Sequence, residues 1–131
     1  IDKVLNFDGE TCPYVQYTVA RCNSVIEKSG VADYDLSAIS DAEISPVEYE
    51  LISKIATFKE VVLSASEKYE PSFITRFAID LASAYNKFYI GCKIIGSSEK
   101  EMNFRLVLTE ATRTVLKTAL KLLGIETVEK M

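Results

Sequence analysis

Tyr14, Tyr17 and Arg21 stand at i, i+3 and i+7 in the stretch PYVQYTVARC, Pro13 to Cys22. That spacing puts all three on one face of a helix. The stretch AYNKFYIGCK repeats the arrangement with Asn86, Tyr89 and Lys93. Phenol rings, a guanidinium and an amide at such intervals suit stacking on flat π systems and contact with anions. They do not suit bond cleavage. Tyrosines also commonly border a core with the hydroxyl left in water, and the pattern alone leaves both readings open.

Each set lies beside an apolar line rather than on it. Helical residues advance by about 100° each, so Val15, Val19, Cys22 and Ile26 fall within ~60° of one another. Tyr14, Tyr17 and Arg21 are rotated by roughly 130° from that line. In the later helix Ile74, Leu81, Phe88 and Cys92 mark the core line, and Asn86, Tyr89 and Lys93 lie roughly 75–135° round from it. Bases splayed from a single-stranded RNA loop stack on such rings, while Arg and Lys meet phosphates or base edges.

Other chemistry is missing. There is no histidine among the 131 residues, which removes Ser–His and Cys–His nucleophiles and every His-containing zinc site. The five glycines are isolated, in no phosphate-cradling loop. Glu99 and Glu101 flank Lys100 in a charged turn and read as solvated surface. Cys12, Cys22 and Cys92 show no CxxC spacing; they read as small buried apolar groups in a reducing compartment. The expected role is recognition, not autonomous catalysis.

Composition fits one soluble domain: 48% hydrophobic, 26% charged. The net charge of −4 argues against a generic nucleic-acid binder, but charge is unevenly placed. Residues 33–50 hold Asp33, Asp35, Asp41, Glu43, Glu48 and Glu50 with no cation, whereas 105–121 hold Arg105, Arg113, Lys117 and Lys121 against Glu110 alone. No apolar run is long enough for a membrane span. The opening IDKVLNFDGE has no initiator Met, which points to a piece cut from a larger protein.

The elements that must carry the two stripes are helices. Periodicity predicts them over about 13–29, 46–69 (interrupted near Phe58), 72–95 and 100–123, with no alternating strand pattern. Pro13 is expected in a first turn. Ser45, Pro46 and Glu48 form a capping box. Pro71 separates two runs, and Gly30 and Gly124 are expected as C′ residues. The third helix places Ile74, Phe77, Leu81, Ala84, Phe88, Cys92 and Ile95 at core spacing. The fourth places Phe104, Leu108, Ala111, Val115, Ala119 and Leu122 there, widened by Leu106, Leu116, Leu120 and Leu123. The result is an all-α antiparallel bundle of four to five helices with an acidic loop at 30–44.

Three segments carry a resemblance: FDGETCPYVQYTVAR (Phe7–Arg21), PSFITRFAIDLASAYNKFY (Pro71–Tyr89) and RLVLTEATRTVLKTALKLLGIETVEKM (Arg105–Met131). Together they resemble the C-terminal DALR-type anticodon-binding domain of class I arginyl-tRNA synthetases, over essentially the whole chain. The resemblance implies a single bundle spanning 1–131, with 1–12 as the joint to a catalytic domain and 125–131 as a C-terminal tail ending at the parent's last residue. The Asp8-Gly9 pair is expected to turn there. The implied partner is tRNA-Arg, gripped by its anticodon stem and loop, with no DNA and no membrane. Tyr17, Arg21, Tyr89 and the terminal Met131 would surround the middle anticodon cytosine. Tyr14, Gln16, Asn86 and Lys93 join them from the stripe geometry.

The parent would be a cytoplasmic, monomeric arginine–tRNA ligase using ATP with magnesium. The chain itself would hold no cofactor and no catalytic residue, since it lacks the family's His-Ile-Gly-His-type and Lys-Met-Ser-Lys-type elements. Two positions depart from the family pattern. Val19 stands where a histidine is frequent, and YIGCKII replaces the more usual Cys-Pro turn. A second reading, from the residues alone, is a helical module that docks a protein partner through its acidic loop or spare apolar surface.

Overall fold

A computed structural model describes the backbone of residues 2–30, 44–96 and 99–124, with side chains from Pro13 onward in the first of these. The described residues form five helices: α1 (Asp2–Ser29), α2 (Pro46–Ala56), α3 (Phe58–Lys68), α4 (Ser72–Gly91) and α5 (Glu99–Leu122). The expected all-α bundle is what forms. Of the acidic loop expected at 30–44, residues 31–43 lie outside the described residues, as does the tail at 125–131 with Met131.

α4 is the central rod, touching α1, α2, α3 and α5; α1 and α2 each also lean on α5. It earns that place by sequence, with buried Ile74, Phe77, Ala78, Leu81, Ala82, Ala84, Tyr85 and Phe88 wrapped round most of its circumference. A helix apolar on one stripe packs against one neighbour, whereas one apolar on most sides must be surrounded. The core is continuous from Val15, Val19 and Cys22 of α1 through α4 to Leu106, Leu116 and Leu120 of α5.

The stops follow local chemistry. Ser45 caps α2: its Oγ accepts from the Glu48 N–H at 3.3 Å and its own N–H donates to Glu48 Oε1 at 3.0 Å. The expected break near Phe58 occurs at Thr57, the junction of α2 and α3. Gly30 and Gly124 adopt positive φ, +68° and +78°, as C′ residues do.

Three expectations fail. α1 starts at Asp2, not near 13, so Asp8-Gly9 is helical and Pro13 lies inside the helix. Proline forfeits one N–H bond, but its φ is already helical, and here the helix runs through it. α4 ends at Gly91, with Cys92 extended at φ −124°, ψ 126°. The periodic count therefore loses its meaning beyond Gly91: Ile94 is buried and Ile95 is exposed. In α5 the buried face centres on Leu106, Thr109, Thr112, Leu116, Ala119 and Leu120, and Leu122 points to solvent. Each core threonine donates its hydroxyl to the carbonyl four residues back, Thr109 to Arg105 at 2.9 Å and Thr112 to Leu108 at 2.8 Å. With its polar atom satisfied inside the helix, it packs as an apolar side chain.

Candidate nucleic-acid interface

The two stripes meet. α1 and α4 pack against each other so that Arg21 Nη1 donates to Asn86 Oδ1 at 2.7 Å and Arg21 Nη2 to the Tyr17 hydroxyl at 3.0 Å. The guanidinium carbon lies 4.4 Å from the centre of the Tyr89 ring and 5.0 Å from that of Tyr17. Both distances are in cation–π range. Three groups from two helices, Tyr17 and Arg21 of α1 and Tyr89 of α4, thus form one layered cluster, open to solvent: Tyr17 is 48% exposed and Tyr89 40%.

Asn86 is the hub beneath the cluster. Besides accepting from Arg21, its Nδ2 donates to the Tyr14 hydroxyl at 3.0 Å and to Thr18 Oγ1 at 3.1 Å. Thr18 is fully buried and donates to the Tyr14 carbonyl at 3.0 Å. The Asn86 amide is therefore committed to protein partners on both ends, while the remaining N–H groups of Arg21 have no hydrogen-bond partner among the described residues. Tyr14 sits at the exposed margin of the same network, and Gln16 is half-buried on the neighbouring face of α1.

Below the exposed rings the cluster is anchored in dry packing. The Tyr85 ring lies 6.4 Å from that of Tyr89, and its hydroxyl is 3.3 Å from Thr109 Oγ1 of α5. Burial pushes the adjacent Cys22 thiol up to about 12, and raises the Tyr85 phenol as well. Both stay neutral and so add no charge to the site. Val19, in the family-variant position, is wholly buried.

Beside the rings opens a cavity of about 940 Å³. One wall is α1, with Tyr17, Arg21, Ser24 and Lys28; the other is the segment after α4, with Lys93, Ile94 and Ile95. Among the described residues, Arg21, Lys28 and Lys93 face it against the single carboxylate of Glu27, a positive bias within that set. Sequence reasoning missed Ser24 and Lys28. They continue the 14–17–21 stripe at i+10 and i+14, so the signal was there for a longer window. Ile94 had none, because its burial depends on where α4 stops.

The residues that could stack and pair are thus brought together, and they match a known kind of domain. The DALR anticodon binding domain family matches residues 15–131. The chain belongs to that family. Among curated relatives, this DALR domain is 45% identical to an arginine–tRNA ligase of Halothermothrix orenii over 99% of the chain. It is 43% identical to that of Clostridium acetobutylicum over 98%. In both cases it spans 23% of the relative's length. Among solved structures, it superposes on Thermus thermophilus arginyl-tRNA synthetase with a TM-score of 0.82, at 33% identity, covering 99% of this chain and 23% of that one. A putative arginyl-tRNA synthetase from Campylobacter jejuni gives 0.77 at 28% identity, covering 90% and 26%. The DALR domain of this chain is therefore alike in sequence and in fold to about a quarter of those proteins.

Proposed function

We propose that this chain is the part of an arginine–tRNA ligase that reads the anticodon of tRNA-Arg, receiving the middle cytosine against Tyr17, Arg21 and Tyr89. The observation that carries the reading is the convergence of two tyrosine rings and a fixed guanidinium on the rim of one solvent-open cavity. An unpaired base stacked on a ring gains ~1–3 kcal/mol, and the free N–H groups of Arg21 suit the acceptor edge of a pyrimidine or a phosphate. Lys93 lines the same opening; Tyr14, bonded to Asn86, and Gln16 are its nearby additions in this reading. Met131 completes the base pocket in this reading.

The parent enzyme would join arginine to the tRNA using ATP with magnesium, as a cytoplasmic monomer. In this reading the nucleotide and its cation are held by the catalytic domain of the parent. This part contributes grip and selection: it fixes the anticodon loop so that the acceptor end reaches the distant reaction centre.

The test is binding of a 17-nucleotide-scale anticodon stem–loop RNA, with cytosine or uridine at the middle anticodon position, measured by fluorescence anisotropy at two salt concentrations. The cytosine loop should bind more tightly, with affinity falling as salt rises. Equal affinity for both loops, or no binding at low salt either to this chain or to the full enzyme, overturns the assignment.

A further inference from the structure

We propose that Arg105 is a positioning residue for the anticodon pocket, holding the wall formed by Lys93, Ile94 and Ile95 in place from α5. The inference rests on the anticodon reading for its functional half; its structural half stands without it.

The wall needs such a tether. α4 stops at Gly91, and the described residues that follow it, 92–96, are not helical. The backbone of this segment is caught by a distant side chain at Lys93, where Arg105 Nη1 donates to the carbonyl. The same guanidinium uses its Nε on Glu48 Oε2 at 3.3 Å and its Nη2 on Glu101 Oε2 at 3.3 Å. Glu48 is only 2% exposed, and its other oxygen is bound by the Ser45 N–H at the cap of α2. A further polar contact joins the same corner, Ser45 Oγ to Cys92 Sγ at 3.8 Å.

The consequence is geometric. A buried carboxylate fixed by a helix cap leaves its arginine partner little freedom, because moving the guanidinium would strand a charge away from water. The planar fork then presents its next N–H in a set direction, and that direction ends on Lys93. Through the carbonyl, the side chains of Lys93, Ile94 and Ile95 are aimed at the cavity that α1 faces from the other side. Gly96 closes the segment at φ +91°, with Lys93 Cε only 3.0 Å from where a Cβ would stand. A capping glutamate that spends itself on a remote arginine thus connects the start of α2 with the lip of the site. Arg105 touches no ligand in this scheme; it acts through Lys93.

The experiment compares Arg105→Lys, Arg105→Gln and the control Glu101→Ala in the full 131-residue chain, each checked for unchanged far-UV helicity. Lysine keeps a charge for Glu48 but cannot span three partners. Glu101→Ala removes the exposed partner and leaves Glu48 and the Lys93 carbonyl to the guanidinium. Amide hydrogen exchange of the peptide covering 92–96 should speed up about tenfold in both Arg105 variants and stay near wild type in Glu101→Ala, with α1 protection unchanged throughout. Affinity for the cytosine-loop RNA should fall about tenfold in the Arg105 variants while uridine-loop affinity changes less, which a general loss of stability would not produce. Unchanged exchange at 92–96 overturns the proposal whatever the RNA does. Faster exchange with unaltered preference for the cytosine loop overturns its functional half. A wild-type chain that shows no preference between loops instead overturns the anticodon reading, and the exchange result alone then decides the tether.

Discussion

The guanidinium of Arg21 lies 4.4 Å from the centre of the Tyr89 ring, although 68 positions of sequence separate α1's residue from α4's. The contact is held from below, since Asn86 on the same face of α4 accepts from that guanidinium. A cation kept against one face of a ring leaves the rest of the exposed phenol as a stacking surface. The pair is thus both a structural joint between two helices and one side of a base-sized opening.

Tyr89→Ala removes the ring but little of the core, because Tyr89 is only partly covered while Tyr85 and Phe88 beneath it are fully buried. Affinity for the cytosine-loop RNA should drop by ~1–3 kcal/mol, with the urea midpoint almost unmoved. Tyr89→Phe keeps the stacking face and should bind nearly as wild type. Anisotropy titrations beside urea melts separate the two effects; a large stability loss with intact binding per folded molecule contradicts the stacking role.

Asn86→Ala should weaken binding for a different reason. Its amide is spent on Arg21, Tyr14 and Thr18, so removal releases Arg21 rather than a ligand contact. The expected loss is about tenfold, with the slope of log affinity against log salt unchanged. Lys93→Ala, by contrast, should lower that slope by about 0.7 if its ammonium neutralises one phosphate of a single strand. Salt titrations of the two variants distinguish positioning from contact. Equal slope changes refute the division.

Much of this was legible locally. Heptad-like intervals gave the α1 and α4 stripes, and the Ser45–Glu48 box announced the start of α2, because caps and faces depend on residues within one or two turns. What was hidden depends on distance or on backbone events. Glu48 looks like any solvated capping glutamate until Arg105, 57 positions later, covers it. The burial of Thr18, Thr109 and Thr112 was invisible to a polarity pattern, since each hides its hydroxyl on its own helix. Ile95 was assigned to the core by counting past a helix that had already ended at Gly91. The roles of Tyr17, Arg21 and Tyr89 came from resemblance; their proximity came only from the fold.

Tyr69→Gly should stabilise the chain. Tyr69 ends α3 in the left-handed region, φ 55°, ψ 37°, and is 91% exposed. Its conformation lets the Glu70 N–H reach the Ala65 carbonyl at 3.0 Å, closing the helix as a glycine would. A side chain there costs roughly 1–2 kcal/mol of steric strain, partly offset by the extra freedom glycine brings to the unfolded chain. The net gain expected is ~0.5–1 kcal/mol, read from urea unfolding. A decrease would mean that the exposed ring has a packing partner.

Alkaline pH should unfold the bundle through its core rather than its surface. Desolvation raises the folded Cys22 thiol from 9.0 to about 12, and the Tyr85 phenol is raised too, by the same burial. Between pH 9 and pH 12 the unfolded chain gives up the thiol proton while the folded chain keeps it. The folded state then binds more protons than the unfolded one, so stability falls as pH rises through that window. Below pH 9 the thiol is protonated in both states and the effect vanishes. Cys22→Ala should flatten the decline, even though truncating a buried side chain lowers stability near pH 7. Urea midpoints at intervals from pH 7 to 11 test this directly, with the acid-side values as an internal reference. A wild-type curve as flat as that of the variant would show that Cys22 does not govern the alkaline limb, and that Tyr85 or exposed lysines set it instead.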